Sequence, residues 1–232
     1  MFKTTAKPFA QLLNTVSALD DEARINVSDS RVDIKLVDGA NVAMGVFRLI
    51  PDEAEAQEPI VVDVNQILGI LKHLPDDEVC TFKTEDKKTS LEAGSRWFDI
   101  THNEEIRKEP KIIRLEPHVS LKIKPSDLNI DLKLCSEISE YVDLCYSPRL
   151  IELKCDGKFR SAYPTEEHLE SEKESRFSLD YMCDIISHLK YKKEWICEDI
   201  TLSFGQDWPV IICGCTDQIE FCFLLAPRIE GV

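Results

Sequence analysis

The stretch Val62-Asp63-Val64-Asn65-Gln66-Ile67-Leu68-Gly69-Ile70-Leu71-Lys72-His73-Leu74 decides the fold, because its pattern returns 115 residues later as Phe177-Ser178-Leu179-Asp180-Tyr181-Met182-Cys183-Asp184-Ile185-Ile186-Ser187-His188-Leu189. Val62, Val64, Ile67, Ile70, Leu71 and Leu74 fall on Phe177, Leu179, Met182, Ile185, Ile186 and Leu189. Ile60 to Val64 reads as a strand, and the apolar residues after it recur at helical spacing, so each copy is a strand running into an amphipathic helix. A chance match does not hold one offset through a whole helix; an internal duplication does.

The same order extends upstream. From Lys7 to Asp20, Phe9, Leu12, Leu13, Val16 and Leu19 form one apolar stripe. Leu128, Leu132, Cys135 and Ile138 repeat the spacing of Phe9, Leu13, Val16 and Leu19 at an offset of 119. Ile25 and Val27, then Val32, Ile34 and Leu36, then Val42, Met44 and Val46 recur at the period of two that marks strands. Asp38-Gly39 supplies a turn that Asp156-Gly157 repeats at 118, and Val142 and Leu144 stand for Ile25 and Val27 at 117. Such small drifts are what loop insertions and deletions produce. The expected fold class is α+β: two similar domains, each with two helices packed on antiparallel sheet, with helices over 7–20, 65–74, 126–139 and 179–193. The domains run over 1–107 and 119–232. Between them 108–118 is an extended linker, because Pro110 and Pro117 forbid a continuous helix, and it carries the apolar residues Ile112, Ile113 and Leu115.

The chain has 232 residues, enough for two small domains without a metal or disulfide staple. Its 28 Lys and Arg against 43 Asp and Glu leave a net charge of −15, which argues against a basic nucleic-acid module and against an anionic membrane surface. No apolar run reaches the ~18 residues of a membrane span. Met1-Phe2-Lys3-Thr4-Thr5-Ala6-Lys7 has no apolar signal region, so the expected location is cytoplasmic. Nine cysteines in such a chain read as free thiols, with Cys213 and Cys215 packing as small hydrophobes on one strand face. No histidine lies near them to complete a metal site. No P-loop, nucleophile elbow or zinc-protease helix occurs, so neither enzyme activity nor a cofactor is expected. The rival from that class is a thiol or metal enzyme using the nine cysteines.

Four strings in order now bring a family into view: the opening helix through Asp21-Glu22-Ala23, Val37-Asp38-Gly39-Ala40-Asn41-Val42-Ala43-Met44, Thr201-Leu202-Ser203-Phe204-Gly205-Gln206-Asp207-Trp208-Pro209, and Phe223-Leu224-Leu225-Ala226-Pro227-Arg228-Ile229. Together they resemble the DNA sliding clamps of the proliferating cell nuclear antigen (PCNA) family, more its short archaeal type, over nearly the whole chain. The resemblance implies a homotrimeric ring around duplex DNA that acts as a processivity factor. It would tether DNA polymerase, flap endonuclease and DNA ligase through PCNA-interacting peptides after placement by a clamp loader. The chain would then be nucleoid-associated, or nuclear in a eukaryote. A subunit of a heterotrimeric or specialised checkpoint-type clamp, and a DNA-independent scaffold, are the rivals within the binding class.

The resemblance also assigns residues. DNA would face Lys7, Lys72, Lys133, Lys190, Lys192 and Lys193. Over the expected helices these balance Asp20, Asp127, Asp131, Glu137, Asp180 and Asp184, so the helix layer is neutral and the acidity lies elsewhere. The partner-peptide pocket would take Val42, Met44, Ile113, Leu115, His118, Pro209, Leu224, Ala226 and Pro227. Subunits would meet by edge-strand pairing between Arg96, Trp97, Phe98 and Ile100 on one chain and Lys158, Phe159 and Arg160 on the next. After Ala162, the charged run from Tyr163 to Arg176 stands where the family has another strand.

Overall fold

The computed structural model describes residues 1–85, 88–103, 110–111, 119–165 and 172–228. It divides into two compact units, Met1–Lys111 with Cys215–Phe221, and Ile112–Gly214 with Cys222–Val232. Of the linker expected at 108–118, only Pro110 and Lys111 are among the described residues.

In chain order the first unit contains β1 (Phe2–Thr5), α1 (Ala6–Val16), β2 (Glu22–Val27), β3 (Val32–Val37), β4 (Ala43–Leu49), β5 (Glu53–Ala54), β6 (Gln57–Asp63), α2 (Val64–Leu71), β7 (Val79–Glu85), β8 (Lys88–Ala93), β9 (Arg96–Ile100) and β10 (His102–Asn103). The chain continues, in the second unit apart from Cys215–Phe221, with β11 (Val119–Ile123), α3 (Pro125–Ser136), β12 (Tyr141–Ser147), β13 (Leu150–Cys155), β14 (Phe159–Pro164), β15 (Lys173–Ser178), α4 (Leu179–His188), β16 (Lys190–Tyr191), β17 (Glu194–Trp195), β18 (Ile200–Phe204), β19 (Val210–Cys215) and β20 (Ile219–Leu225). The ladder β6-β2-β3-β4 of the first unit has its counterpart in β15-β12-β13-β14 of the second, and β1-β7-β8-β9 in β11-β18-β19-β20. The two similar α+β halves are therefore present strand for strand.

Alternation makes these strands and burial fixes their register. Ile25 lies opposite Ile34 and Ala23 opposite Val62, while Leu144 lies opposite Leu153 and Val142 opposite Phe177. Ala23 and Ile25 thus correspond to Val142 and Leu144 at an offset of 119 (142 − 23, 144 − 25), which corrects the expected 117. A slip of two residues leaves the alternation unchanged, so only pairing reveals it.

The helices end earlier than their patterns. Lys72 caps the C-terminus of α2, and α4 stops at His188, because Leu189 leaves helical geometry and the buried Tyr191 and Ile196 draw the chain into the β16–β17 hairpin. Lys192 and Lys193 form its two-residue turn, with φ of 45° and 74°. Asp63 caps α2 by accepting from the Gln66 N–H at 2.9 Å, a contact worth about 1 kcal/mol. Its counterpart Ser178 makes no such bond.

Each unit packs its helices on its own core. In the first, Phe2, Phe9 and Phe82 join β1, α1 and β7, with ring centroids 5.2 to 5.9 Å apart. In the second, Leu128, Leu132 and Cys135 of α3 and Met182, Ile185 and Ile186 of α4 are fully buried.

Candidate functional site

Each unit ends one of its ladders on an edge strand: β9 in the first and β14 in the second. On β9, Arg96 and Trp97 are exposed, Trp97 by 53%, and Phe98 is half-buried. Ile100 is buried in its own unit, so its side chain does not belong to the edge surface with the others. Lys158 precedes β14 in the Asp156-Gly157 turn, and Phe159 and Arg160 begin the strand. β14 runs past Ala162 through Tyr163 and Pro164, and the charged run from Tyr163 to Arg176 reaches into a further strand, β15, which pairs with β12. Polar residues form strands here because their partners satisfy them. Glu152 on β13 is buried, yet takes Lys154 at 3.0 Å and the Arg160 guanidinium. Burial alone would raise its carboxyl, but these two cations hold it below the usual carboxylate range.

Behind β14 lies α3, tied to it by the Tyr163 hydroxyl donating to Asp131. Burial, then this bond, pushes the Tyr163 hydroxyl above its ordinary range, so it stays a donor. On the outer side of α3, Ile130 and Leu134 are 57% and 49% exposed. The sequence reading missed both. Their spacing of four, out of phase with the Leu128-Leu132-Cys135 stripe, was the available signal.

The expected DNA-facing lysines divide. Lys7 lies on α1 with Asp76 at 4.0 Å, and Lys133 lies on α3. Lys133 lines an open groove of about 620 Å³ between α3 and α4, together with Asn129, Tyr181, Cys183, Asp180 and Asp184. Lys72, Lys190, Lys192 and Lys193 stand outside the helices. The four helices as observed carry Lys7 and Lys133 against Asp127, Asp131, Asp180 and Asp184, so the expected neutral layer is in fact mildly acidic. The shorter helices are the reason.

In the first unit the Val37–Met44 segment is organised by Asp38. Its buried carboxylate accepts from the backbone N–H groups of Ala40 at 3.1 Å, and of Val42 and Ala43 at 2.7 Å each. This fixes the start of β4, whose Ala43, Gly45, Phe47 and Leu49 are buried while Val42, Met44 and Val46 remain half-exposed on the opposite face. In the second unit Pro209, Leu224 and Pro227 are half-buried and Ala226 is exposed. Ile113, Leu115 and His118 lie outside the described residues.

One thiol expectation is corrected: Cys213 is joined to Cys222, its neighbour across the β19–β20 hairpin, with Cα atoms 4.1 Å apart. Neither Cys213 nor Cys215 is a buried packing residue, since Cys213 is half-buried and Cys215 exposed. Period two along a single strand could not reveal a partner nine residues on. Burial pushes Cys80 and Cys145 up to about 11, and raises Cys135, Cys155 and Cys183 as well. Protonated thiols are poor nucleophiles and poor metal ligands. Among the described residues no group of three or more His, Cys, Asp or Glu is arranged to hold a metal ion, and no helix is long and apolar enough to cross a membrane.

No family model matches the sequence. It is 31% identical over 251 aligned positions to the DNA polymerase sliding clamp of Methanococcoides burtonii, and 29% identical over 250 to that of Methanocella arvoryzae, in each case across 100% of both chains. Among solved structures, PCNA of A. fulgidus bound to the C-terminal region of FEN-1 superposes with a TM-score of 0.85 over 100% of this chain and 99% of that one, at 22% identity. PCNA of Thermococcus kodakaraensis gives the same TM-score over 98% and 99%, at 20% identity.

Proposed function

The chain belongs to the DNA polymerase sliding clamp family, and from that premise we propose how its surfaces do a clamp's work. Three copies close into a homotrimeric ring by pairing β9 of one chain with β14 of the next. The observation that carries this reading is that a ladder of each unit ends on an edge strand, β9 in the first and β14 in the second, two different edges that can pair head to tail between chains and close on themselves. Trp97 and Phe98 on one side and Phe159 on the other supply apolar contact, and Ile130 and Leu134 beside β14 extend it. Arg160 is held by Glu152, which keeps a cation at a defined place on the edge.

Duplex DNA passes through the ring near Lys7, Lys72, Lys133, Lys190, Lys192 and Lys193. The mildly acidic helices favour weak, salt-sensitive contact, so retention on DNA is topological rather than adhesive. Partner enzymes, DNA polymerase and flap endonuclease foremost, dock by short peptides on the half-buried Pro209, Leu224 and Pro227 and the exposed Ala226 of the second unit, and Val42 and Met44 are the half-exposed apolar residues that the first unit offers. Tethering raises their effective concentration at the template. A. fulgidus PCNA bound to the C-terminal region of FEN-1 is the precedent that supports this mode.

The experiment is retention on DNA. Loaded onto closed circular duplex by a clamp loader, the protein stays bound through a high-salt wash and is lost once the circle is cut. Equal retention on cut and closed DNA would contradict topological linkage.

A further inference from the structure

The charged run from Tyr163 to Arg176 includes most of β15, and two adjacent residues of that strand hold two segments of the second unit. Ser175 is buried, donates its hydroxyl to the Gly205 carbonyl at 2.6 Å and accepts from the Asp207 N–H at 2.8 Å. It thereby fixes the Gly205–Trp208 turn, where Asp207 has a φ of 55°, immediately before Pro209. Arg176 offers its backbone carbonyl to the Arg228 N–H at 2.7 Å, which ties the segment carrying Ala226 and Pro227 to β15.

Side chains reinforce the second tie. The Arg228 guanidinium lies over the Tyr141 ring with its carbon 4.1 Å from the centroid, and the Arg176 guanidinium lies 5.9 Å from the same centroid. Arg176 is itself held by Asp143, through Nε to Oδ1 at 2.7 Å and Nη2 to Oδ2 at 3.0 Å. A cation on an aromatic face is stabilised most when neighbouring groups fix both partners.

We infer that Arg228, stacked on Tyr141 and hydrogen-bonded to β15, is a positioning residue for partner docking, holding Ala226-Pro227 in its binding geometry while Ser175 holds Pro209. This rests on the proposed peptide-docking reading and adds the residues that preform its walls. A segment already held in its bound form loses less freedom on binding. Releasing it lowers the fraction of molecules competent to bind, which raises the apparent Kd in proportion and acts on association more than dissociation.

The probe is a fluorescent peptide of the FEN-1 C-terminal region, titrated against the full chain by stopped-flow and equilibrium anisotropy. Arg228→Ala and Tyr141→Leu each raise Kd about fivefold, mainly through slower association, with native mass unchanged. Arg228→Lys and Tyr141→Phe keep the cation or the ring and stay within about twofold. Wild-type affinity and association rate in Arg228→Ala, beside a weakened Leu224→Ala, would overturn the inference alone. Equal losses in Arg228→Ala and Arg228→Lys would also overturn it, because stacking would then not be the cause. If Leu224→Ala itself binds like the wild type, the docking reading fails and the inference falls with it.

Discussion

α1 and α3 occupy equivalent places in the two halves and face their surroundings differently. Both bury the same stripe: Phe9, Leu13 and Val16 in one, and Leu128, Leu132 and Cys135 in the other, are fully buried. At the offset of 119, Gln11 corresponds to Ile130 and Thr15 to Leu134 (130 − 11, 134 − 15). Gln11 and Thr15 are buried, and Thr15 satisfies its hydroxyl on the Leu12 carbonyl at 2.6 Å. Ile130 and Leu134 are among the most exposed large apolar residues described. The duplication therefore preserved the inner face while the outer faces exchanged character: polar where covered, apolar where bare. This exposed apolar pair is the face that a neighbouring chain would cover in the proposed trimer.

The largest effect should come from breaking that outer face. Ile130→Glu with Leu134→Glu should reduce the native particle from three chains to one, as read by sedimentation, with the fold intact by circular dichroism. An unaltered trimer would remove α3 from the interface. The inner stripes should respond alike: Leu13→Ala and Leu132→Ala each lose about 3 to 4 kcal/mol in urea unfolding, and a large inequality would show that the two cores are not equivalent. Next comes docking, where Ile113→Ala combined with Leu224→Ala should weaken the peptide about tenfold and spare the trimer. Equal affinity would count against the pocket.

A smaller effect is expected from charge. Lys72→Glu with Lys133→Glu should lower loading and reduce the salt dependence of DNA binding by up to about two phosphates' worth per chain, while unchanged salt dependence would mean that these lysines do not meet DNA. The smallest is a pH effect. Cys80 and Cys145 hold their protons more tightly folded than unfolded, so their contribution is complete below about pH 8.5 and declines as pH rises towards about 11. Denaturation midpoints measured across that window should fall; a rise would contradict the burial of these thiols.

What the sequence revealed, and what it withheld, follows from which physical signals are local. Periodicity and a constant offset disclosed the two halves, since burial of one face imposes a period on each element. The register of β2 against β12 stayed hidden because a slip of two preserves that period. The true end of α4 was set by Leu189 leaving helical geometry and by the buried Tyr191 and Ile196, which pull the chain into a hairpin and act only in three dimensions. For the surfaces, Trp97 was legible as a strand residue from the aromatic and β-branched content of its run, while the edge positions of β9 and β14 were available only through the family resemblance. Ile130 and Leu134 were not legible, because a helix pattern with extra apolar residues looks like a wider core stripe until one sees which side is covered. Cys213 found its partner across a hairpin, where spacing within one strand gives no hint.

In the proposed assembly β9 of one chain meets β14 of the next and closes a ring of three. Native mass by light scattering, followed across a wide range of protein concentration, tests it most directly. A particle of three chains that persists on dilution is the predicted result. A monomer at high concentration would contradict it.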